Sequence, residues 1–472
     1  MGSTDRVLAA HLARRAAFGG TPAELDAYCK MNYEDLVEHL ITKVDSSHIS
    51  DHLIFRRHVD LHTMQGHNAV YWGYRMISTD NPFVEKMALF WHGVFATAEN
   101  KLNNIGSLTN QIDMFRRNGL GRYNDLLIEL SRDPAMLIWL DNHTNHKDSI
   151  NENYGREILE LFSMGVGNYT EDDIKECARA FTGWTVKNGE YLSMMAVKDS
   201  IWPYGRILWH YEYRDADHDS GEKTFLGENS DFNGDGVIDV ICKQRATATF
   251  IARHLYNFFV ADEVPVPQWS STSPRDPQAI NTLADAYMES NHDIRSVMRV
   301  LFNSDFFKNS KFKRVKSPTE LIIGTLRNTR EYQVPDGGEI GIYNIGEESG
   351  YMGQKLLDPP SVEGWHTGEE WITSGSLVDR VNFATSHIGN ESNPGVKTLI
   401  ERVGLEDKKP EKLVSDCLEV LGYIEIEADT YQKLEEVAAA GLKKSDSAET
   451  VSSDLIIELF KLIVSSREYQ RC

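Results

Sequence analysis

Two carboxylates three residues apart, Glu157 and Glu160, stand in the stretch NENYGREILELF at 151–162. At about 100° per residue on a helix, Ile150, Tyr154, Ile158, Leu161 and Phe162 cover one side. Asn153, Glu157 and Glu160 lie together beside that side, and Leu159 falls on the far one. A helix apolar on two sides is substantially buried, so Glu157 and Glu160 are expected at or near a core. A carboxylate there costs several kcal/mol unless it is paired, hydrogen-bonded, protonated or bound to a metal. Paired with arginines such as Arg116, Arg179 or Arg253, the two would be structural. With other polar groups converging on them, they suit acid–base work with one pKa raised by burial, or a redox or hydrolytic metal. Two other charges of the stretch need no function. Ser149 and Glu152 have capping-box spacing with Ser149 as N-cap, and Glu152 and Arg156 form an i, i+4 pair.

Three further stretches supply polar groups with chemical capacity. In FWHGVF, His92 sits on an aromatic helix face, where a satisfied core histidine is the commoner outcome. In DADHDSGEKTFLG, residues 215–227, His218, Asp219 and Lys223 are polar in a turn-rich segment for no packing reason. In LDPPSVEGWHTGEEW, Asp358, Glu363, Trp365 and His366 share a loop; Glu363 and His366 have E-x-x-H spacing, but Gly364 and the loop setting argue against a helical di-iron motif. The expected catalytic set is Glu157, Glu160, His92, His218 and Asp219, roofed by the loop of Trp365. Arg156, Asn153, Lys223 and Trp365 are the expected substrate contacts.

DFNGDGVID, beginning at Asp231, fits the first nine positions of an EF-hand loop. Asp231, Asn233 and Asp235 would be the first ligands, Gly236 the turn, Val237 a carbonyl ligand and Asp239 the ninth position. The fit fails at position twelve, where Cys242 stands instead of a bidentate Glu. The stretch is either a calcium site completed from elsewhere, with a structural ion, or an Asx-turn loop that caps the following helix with Asp239 as N-cap.

The elements that must hold these groups are helices. Helical spacing covers residues 6–17, a helix opened by Thr21 and Pro22, the stretch 83–95 with its broad apolar face, and 123–130, 133–140, 170–182, 239–259, 277–288, 293–302 and 318–327. Strand alternation is confined to GRILWHYEY at 205–213, with GEYLSMMAV upstream as its expected hairpin partner. Residues 330–376 are rich in Gly and Pro, and their Trp content predicts an ordered, functional loop. Residues 387–410 read as a linker, followed by two or three amphipathic helices.

Bulk properties narrow the partners. The chain has 472 residues, 41% hydrophobic and 25% charged, so it can bury a large core. A formal net charge of -22 argues against nucleic acid, whose phosphates need clustered Lys and Arg. It leaves room for a cationic, neutral or metal-bearing ligand. No apolar run is long enough to span a membrane. The five cysteines include no C-x-x-C pair, which argues against structural zinc and leaves one or two disulfides open. The segment MGSTDRVLAAHLARRAAFGG has no apolar signal-peptide core, and its MGS is consistent with a start set downstream of a removed signal. There is no G-x-S-x-G, no H-E-x-x-H and no phosphate-cradling glycine loop, so common hydrolase and nucleotide mechanisms lose weight.

At these motifs the chain resembles the bacterial domain-of-unknown-function family 1800. The carrying stretches are HLARRAAFGGTPAELD, FWHGVFAT, NENYGREILELFSMGVGNYTEDDIKECARAFTGW, HDSGEKTFLG, ATATFIARHLYNFFV and LLDPPSVEGWHTGEEWITSGSLVDRVNFA. The resemblance implies a mainly helical protein, export from the bacterial cell to the periplasm or beyond, and a neighbouring exported partner related to sulfatases and alkaline phosphatases. It also implies a role on polysaccharide or the envelope. The family's polar pattern maps onto His92, Asn151, Glu152, Asn153, Arg156, Glu157, Glu160, His218, Asp219 and Lys223, and onto Asp358, Pro359, Pro360, Gly364 and Trp365. His366 stands where members often have proline.

The expected fold is mainly α: a multi-helix globular bundle with a small inserted β-hairpin and long ordered loops. Residues 1–386 form the main domain, and 387–472 a helical segment packed on it. Two functions compete. One is a metal-dependent or carboxylate-based enzyme acting on an extracellular substrate such as polysaccharide, with calcium or a transition metal as cofactor. The other is a calcium-stabilised binding or scaffold protein, with Trp365 and Trp371 stacking on sugars or docking the exported partner. A fully arginine-paired carboxylate cluster without a cavity would favour the second.

Overall fold

Proline and short polar side chains set where the helices begin. Thr21, Thr170 and Ser317 each close a capping box with the acidic residue three positions on, and Pro22 and Pro318 occupy the first turn, where a missing N–H costs nothing. Asp133, Asp276, Asp293 and Ser452 cap four more helices through side-chain oxygens. The computed structural model describes residues 3–42, 67–102, 105–187, 209–332, 344–406, 409–444 and 451–472. Among them twenty-three α-helices and two small antiparallel two-stranded sheets occur, so the protein is mainly α.

The centre is helix Pro82–Val94, in which all but Val84 and Gly93 are buried. Its aromatic face explains the placement. Trp91 stacks on Phe95 at 5.1 Å and on Tyr123 at 5.7 Å, and its indole N–H donates to the Gly119 carbonyl at 2.8 Å. Phe83 and Phe90 meet Phe259 of helix Arg245–Phe259. Burying such rings removes large apolar areas from water and fixes ring-to-ring geometry. One contiguous core results, running from Ala9 to Tyr469.

Several boundaries differ from expectation for local reasons. The helix expected over 239–259 is two, Gly234–Cys242 and Arg245–Phe259, because Asn233 starts the first early and residues 243–244 separate them. The expected linker at 387–410 is largely helical: Ser374–Ile388 runs into it and Pro394–Val403 follows, burying Val396, Leu399, Ile400 and Val403. Strand His210–Tyr213 pairs antiparallel with Trp184–Lys187, Trp184 opposite Tyr213. The expected partner at 189–197 lies outside the described residues. A second hairpin, Lys223–Phe225 with Glu228–Ser230, was not expected. All five cysteines are free thiols. No described helix is long and apolar enough to cross a membrane.

Candidate functional site

The two-carboxylate helix spans Asn153–Glu160 and starts later than the capping-box reading placed it. Ser149 does not cap it: Glu152 is the N-cap residue without a side-chain bond, and Asn151 Oδ1 accepts from the Asn153 N–H at 3.0 Å. Asparagines staple this entry. Asn153 donates to the Leu140 carbonyl at 3.0 Å, and Asn145 accepts from the Asn151 N–H at 2.9 Å while donating to the Ala178 carbonyl at 2.8 Å. Asn153 is thereby bound to backbone rather than free for substrate. Gly155 lets the helix lie against Glu171–Ala180, since a Cβ there would stand 2.9 Å from the Ala178 nitrogen. Tyr154, Ile158 and Leu159 are buried, so both sides of the helix are covered, whereas Ile150 is exposed.

This packing leaves the carboxylates at a half-buried edge. Arg156 forks onto Glu171 at 3.1 and 2.9 Å and lies 3.7 Å from Glu152, so its charge serves those two. The Tyr169 hydroxyl donates to Glu160 at 3.0 Å. Among the described residues no arginine pairs with Glu157. Arg116 goes to Glu85 at 2.8 Å, Arg179 to Asp219 at 2.7 Å and Arg253 to Glu263 at 2.7 Å. Burial, with the charges of Glu160 and Glu363 against that of Arg156, pushes Glu157 up to about 7.

Glu363 comes from the loop at 352–373, which docks on the C-terminal end of the central helix. The Glu99 N–H donates to the Leu357 carbonyl at 2.9 Å. Gly364 adopts φ +85 and passes so close to Gly93 that a Cβ would stand 2.5 Å from the Gly93 carbonyl oxygen. Trp365 then meets His92 edge-on, ring centroids 5.2 Å apart, with Trp72 at 5.6 Å. His92 is fully buried, and neither ring nitrogen has a hydrogen-bond partner among the described residues. Desolvation lowers its pKa to about 3, so it is neutral.

Between this loop, the central helix and helix Arg245–Phe259 opens a cleft of about 260 Å³. Phe90, Val94, Phe258, Pro265, Trp365 and Trp371 give it apolar walls, and His254, Asn257, Arg314, Ser317, Gln354 and Glu363 bring polar atoms. Apolar walls with a few placed polar groups are the usual make-up of a small-molecule site. His254, pressed between Phe250 and Trp269 at 4.6 Å each, is held neutral with a pKa of about 3. Sequence reasoning did not single out His254 or Asn257. Their i, i+3 spacing in ATATFIARHLYNFFV was the available signal. His366 points outward and pairs with Glu370 at 2.6 Å.

The remaining expected residues form separate groups. His218 Nδ1 bonds the Thr182 carbonyl at 2.9 Å, Asp219 takes both ends of the Arg179 guanidinium at 2.7 and 3.1 Å, and buried Lys223 donates to the carbonyls of Asp219 and Gly221 at 2.6 and 2.9 Å. These bonds close the 214–223 turn onto helix Glu171–Ala180. None of the three shares a hydrogen bond, ion pair or ring contact with Glu157, Glu160 or His92 among the described residues. At 231–239 the chain is a helix start. Asn233, not Asp239, is the N-cap and accepts from the Gly236 N–H at 3.0 Å. Asp235 pairs with Arg132 at 2.8 Å, Asp239 accepts from Asn124 at 2.9 Å, Asp231 accepts from the Ser230 hydroxyl at 3.2 Å, and Val237 lies inside the helix. Among the described residues no group of three or more His, Cys, Asp or Glu is placed to hold a metal ion.

A helical protein with an aromatic loop seated on its central helix, and an unpaired carboxylate at the loop's edge, is the class defined by fold and site. The chain belongs to the family described as protein of unknown function (DUF1800), whose profile matches residues 11–471. No curated protein and no solved structure matches it.

Proposed function

We propose that the cleft beneath the Trp365 loop binds a neutral, polyhydroxylated ligand such as a carbohydrate, and that Glu157 acts on it as a general acid with a carboxylate of Glu160 or Glu363 opposing it. One observation carries this reading: among the described residues no arginine pairs with Glu157, whose carboxyl is raised to about 7 by burial and by the charges of Glu160 and Glu363, and Glu363 lines the aromatic cleft. A carboxyl group poised near neutral pH transfers protons efficiently, and tryptophan faces beside amide and hydroxyl groups suit sugar rings. The net charge of -22 fits a neutral ligand better than an acidic one. Location outside the cytoplasm belongs to the same proposal and rests on the family resemblance.

The test uses a panel of neutral oligosaccharides, followed by tryptophan fluorescence and product analysis, on wild type, Trp365→Ala and Glu157→Gln. Saturable binding lost in Trp365→Ala, with turnover lost but binding kept in Glu157→Gln, supports the enzyme. Binding kept in Glu157→Gln without turnover by wild type supports a binding protein, a reading favoured by Glu157 standing outside the cleft lining itself. Turnover abolished by a chelator and restored by a transition metal would replace the acid–base mechanism with a metal-dependent one. No binding by wild type sinks the proposal.

A further inference from the structure

Five buried basic side chains, Arg14, Arg15, Lys86, Arg314 and Arg380, meet half-buried Lys316. Two carboxylates answer them. Glu320 holds both Lys86 and Arg314, the latter at 2.8 Å, and its second oxygen also accepts from the Ser317 N–H at 2.7 Å. Asp262 accepts from the Val315 N–H at 2.9 Å. The Cys472 sulfur lies 3.4 Å from Arg15 and 3.5 Å from Arg314. Even an ionised Cys472 leaves the cluster in positive excess. Glu425 acts on Arg14 from outside, but it is paired with Lys311 at 3.2 Å and more than half exposed. Burial pulls Lys316 down to about 7 and Arg14 and Arg380 to about 10, the sign of charges short of partners. Buried cations without counter-charges are strongly destabilising.

The unanswered donors border a cavity of about 40 Å³, lined by Arg14, Lys316, Glu320, Asn328, Tyr469 and Cys472. One nitrogen of Arg14 donates to the Gly422 carbonyl at 2.5 Å, while its Nε and second terminal nitrogen are buried with no acceptor among the described residues. Lys316 Nζ lies 3.8 Å from the centre of the Tyr469 ring and, among the described residues, donates to no oxygen. With both Glu320 oxygens taken, Cys472 is the nearest negative influence that Arg14 and Lys316 share, and no described acceptor bonds the free nitrogens of either. The space exceeds the ~10–15 Å³ that one water needs. Water would bond these donors but would not neutralise them. A guanidinium edge beside an ammonium matches the charge and geometry of a tetrahedral oxyanion.

We propose that this cavity is a built-in site for one small inorganic oxyanion of phosphate or sulfate size, which neutralises Arg14 and Lys316 and locks the Tyr469–Cys472 segment onto helices Arg6–Ala16 and Pro318–Thr329. The site is separate from the aromatic cleft, and its test is independent of any turnover.

The experiment takes the full chain, purified in buffers free of phosphate and sulfate. Ion chromatography of the acid-denatured protein measures carried anion. Equilibrium dialysis with labelled phosphate, then labelled sulfate, at constant ionic strength measures binding. The expected result is one equivalent per chain, carried or rebound, with a saturable rise in the thermal midpoint. Lys316→Met and Arg14→Gln should each weaken binding by about tenfold or more. In anion-free buffer Lys316→Met should melt at or above wild type, because a repelled charge has been removed. Wild type that neither carries nor binds phosphate or sulfate overturns the proposal. So does unchanged affinity in Lys316→Met, which remains decisive if Arg14→Gln fails to fold.

Discussion

Trp365 stands edge-on to His92 with ring centroids 5.2 Å apart, and this contact joins the aromatic loop to the middle of the core. His92 works there as an aromatic plate rather than as a charge, since its ring is fully buried, neutral and without hydrogen bonds. His92→Phe should therefore keep the fold and raise stability slightly, by up to about 1 kcal/mol, by removing two unsatisfied nitrogens. His92→Ala should cost about 3 kcal/mol through the cavity it leaves. Urea midpoints decide. A loss in His92→Phe as large as in His92→Ala would show that a ring nitrogen has a partner in the working protein.

Glu157 gives a pH signature with a defined sign. Its folded pKa, about 7, lies above the ordinary 4.5. Its favourable contribution is thus complete below about pH 4.5 and is lost as pH rises through 7, where the folded protein must hold an unwelcome charge. Glu157→Gln removes that penalty. The variant should match wild type at pH 4.5 and exceed it at pH 8 by about 1 kcal/mol, discounted because the group is partly in solvent. Thermal midpoints across that range check it. A variant less stable than wild type at pH 8 would mean that the ionised form is held by a bond and not merely tolerated.

Gly364 should tolerate no side chain. A Cβ would meet the Gly93 carbonyl oxygen at 2.5 Å, and φ +85 is itself strained for other residues. Gly364→Ala should cost about 1–3 kcal/mol and detach the loop, shifting Trp365 emission to the red and abolishing oligosaccharide binding. Normal emission and binding in this variant would show that the loop can dock without the close approach.

Glu320 is the hub of the interior charges, so its neutralisation should be severe. Burial pushes its carboxyl up, but Arg314 and Lys86 outweigh burial and hold it well below the usual range. Glu320→Gln removes the carboxylate that both cations share and should cost about 3–5 kcal/mol, with phosphate restoring part of the loss. Glu320→Gln together with Lys86→Met should recover much of the loss, since the cluster's net charge returns to that of wild type. A single variant as stable as wild type would place the counter-charge elsewhere.

The sequence by itself determined the helical class, the starts of most of the helices whose spacing it shows and the burial of the Glu157 helix, because these follow from local spacing and caps. Thr21 caps the helix opened by Pro22 as its spacing requires, and Tyr154, Ile158 and Leu159 are buried as the two-sided pattern requires. Local rules misled where two short-range readings competed. Ser149 has capping spacing, yet the asparagine staples moved the helix start; Asp239 can cap, yet Asn233 captured the turn first. Which charges meet was decided only by tertiary structure, since long-range partners are chosen by packing that no window of sequence contains. Asp219 went to Arg179, Glu263 to Arg253 and Glu85 to Arg116, and so no described arginine pairs with Glu157, which feels the charge of Glu363, 206 positions away. The same holds for the six interior cations. They are spread from Arg14 to Arg380 and share a neighbourhood only because helices Arg6–Ala16, Pro82–Val94, Pro318–Thr329 and Ser374–Ile388 pack around one core.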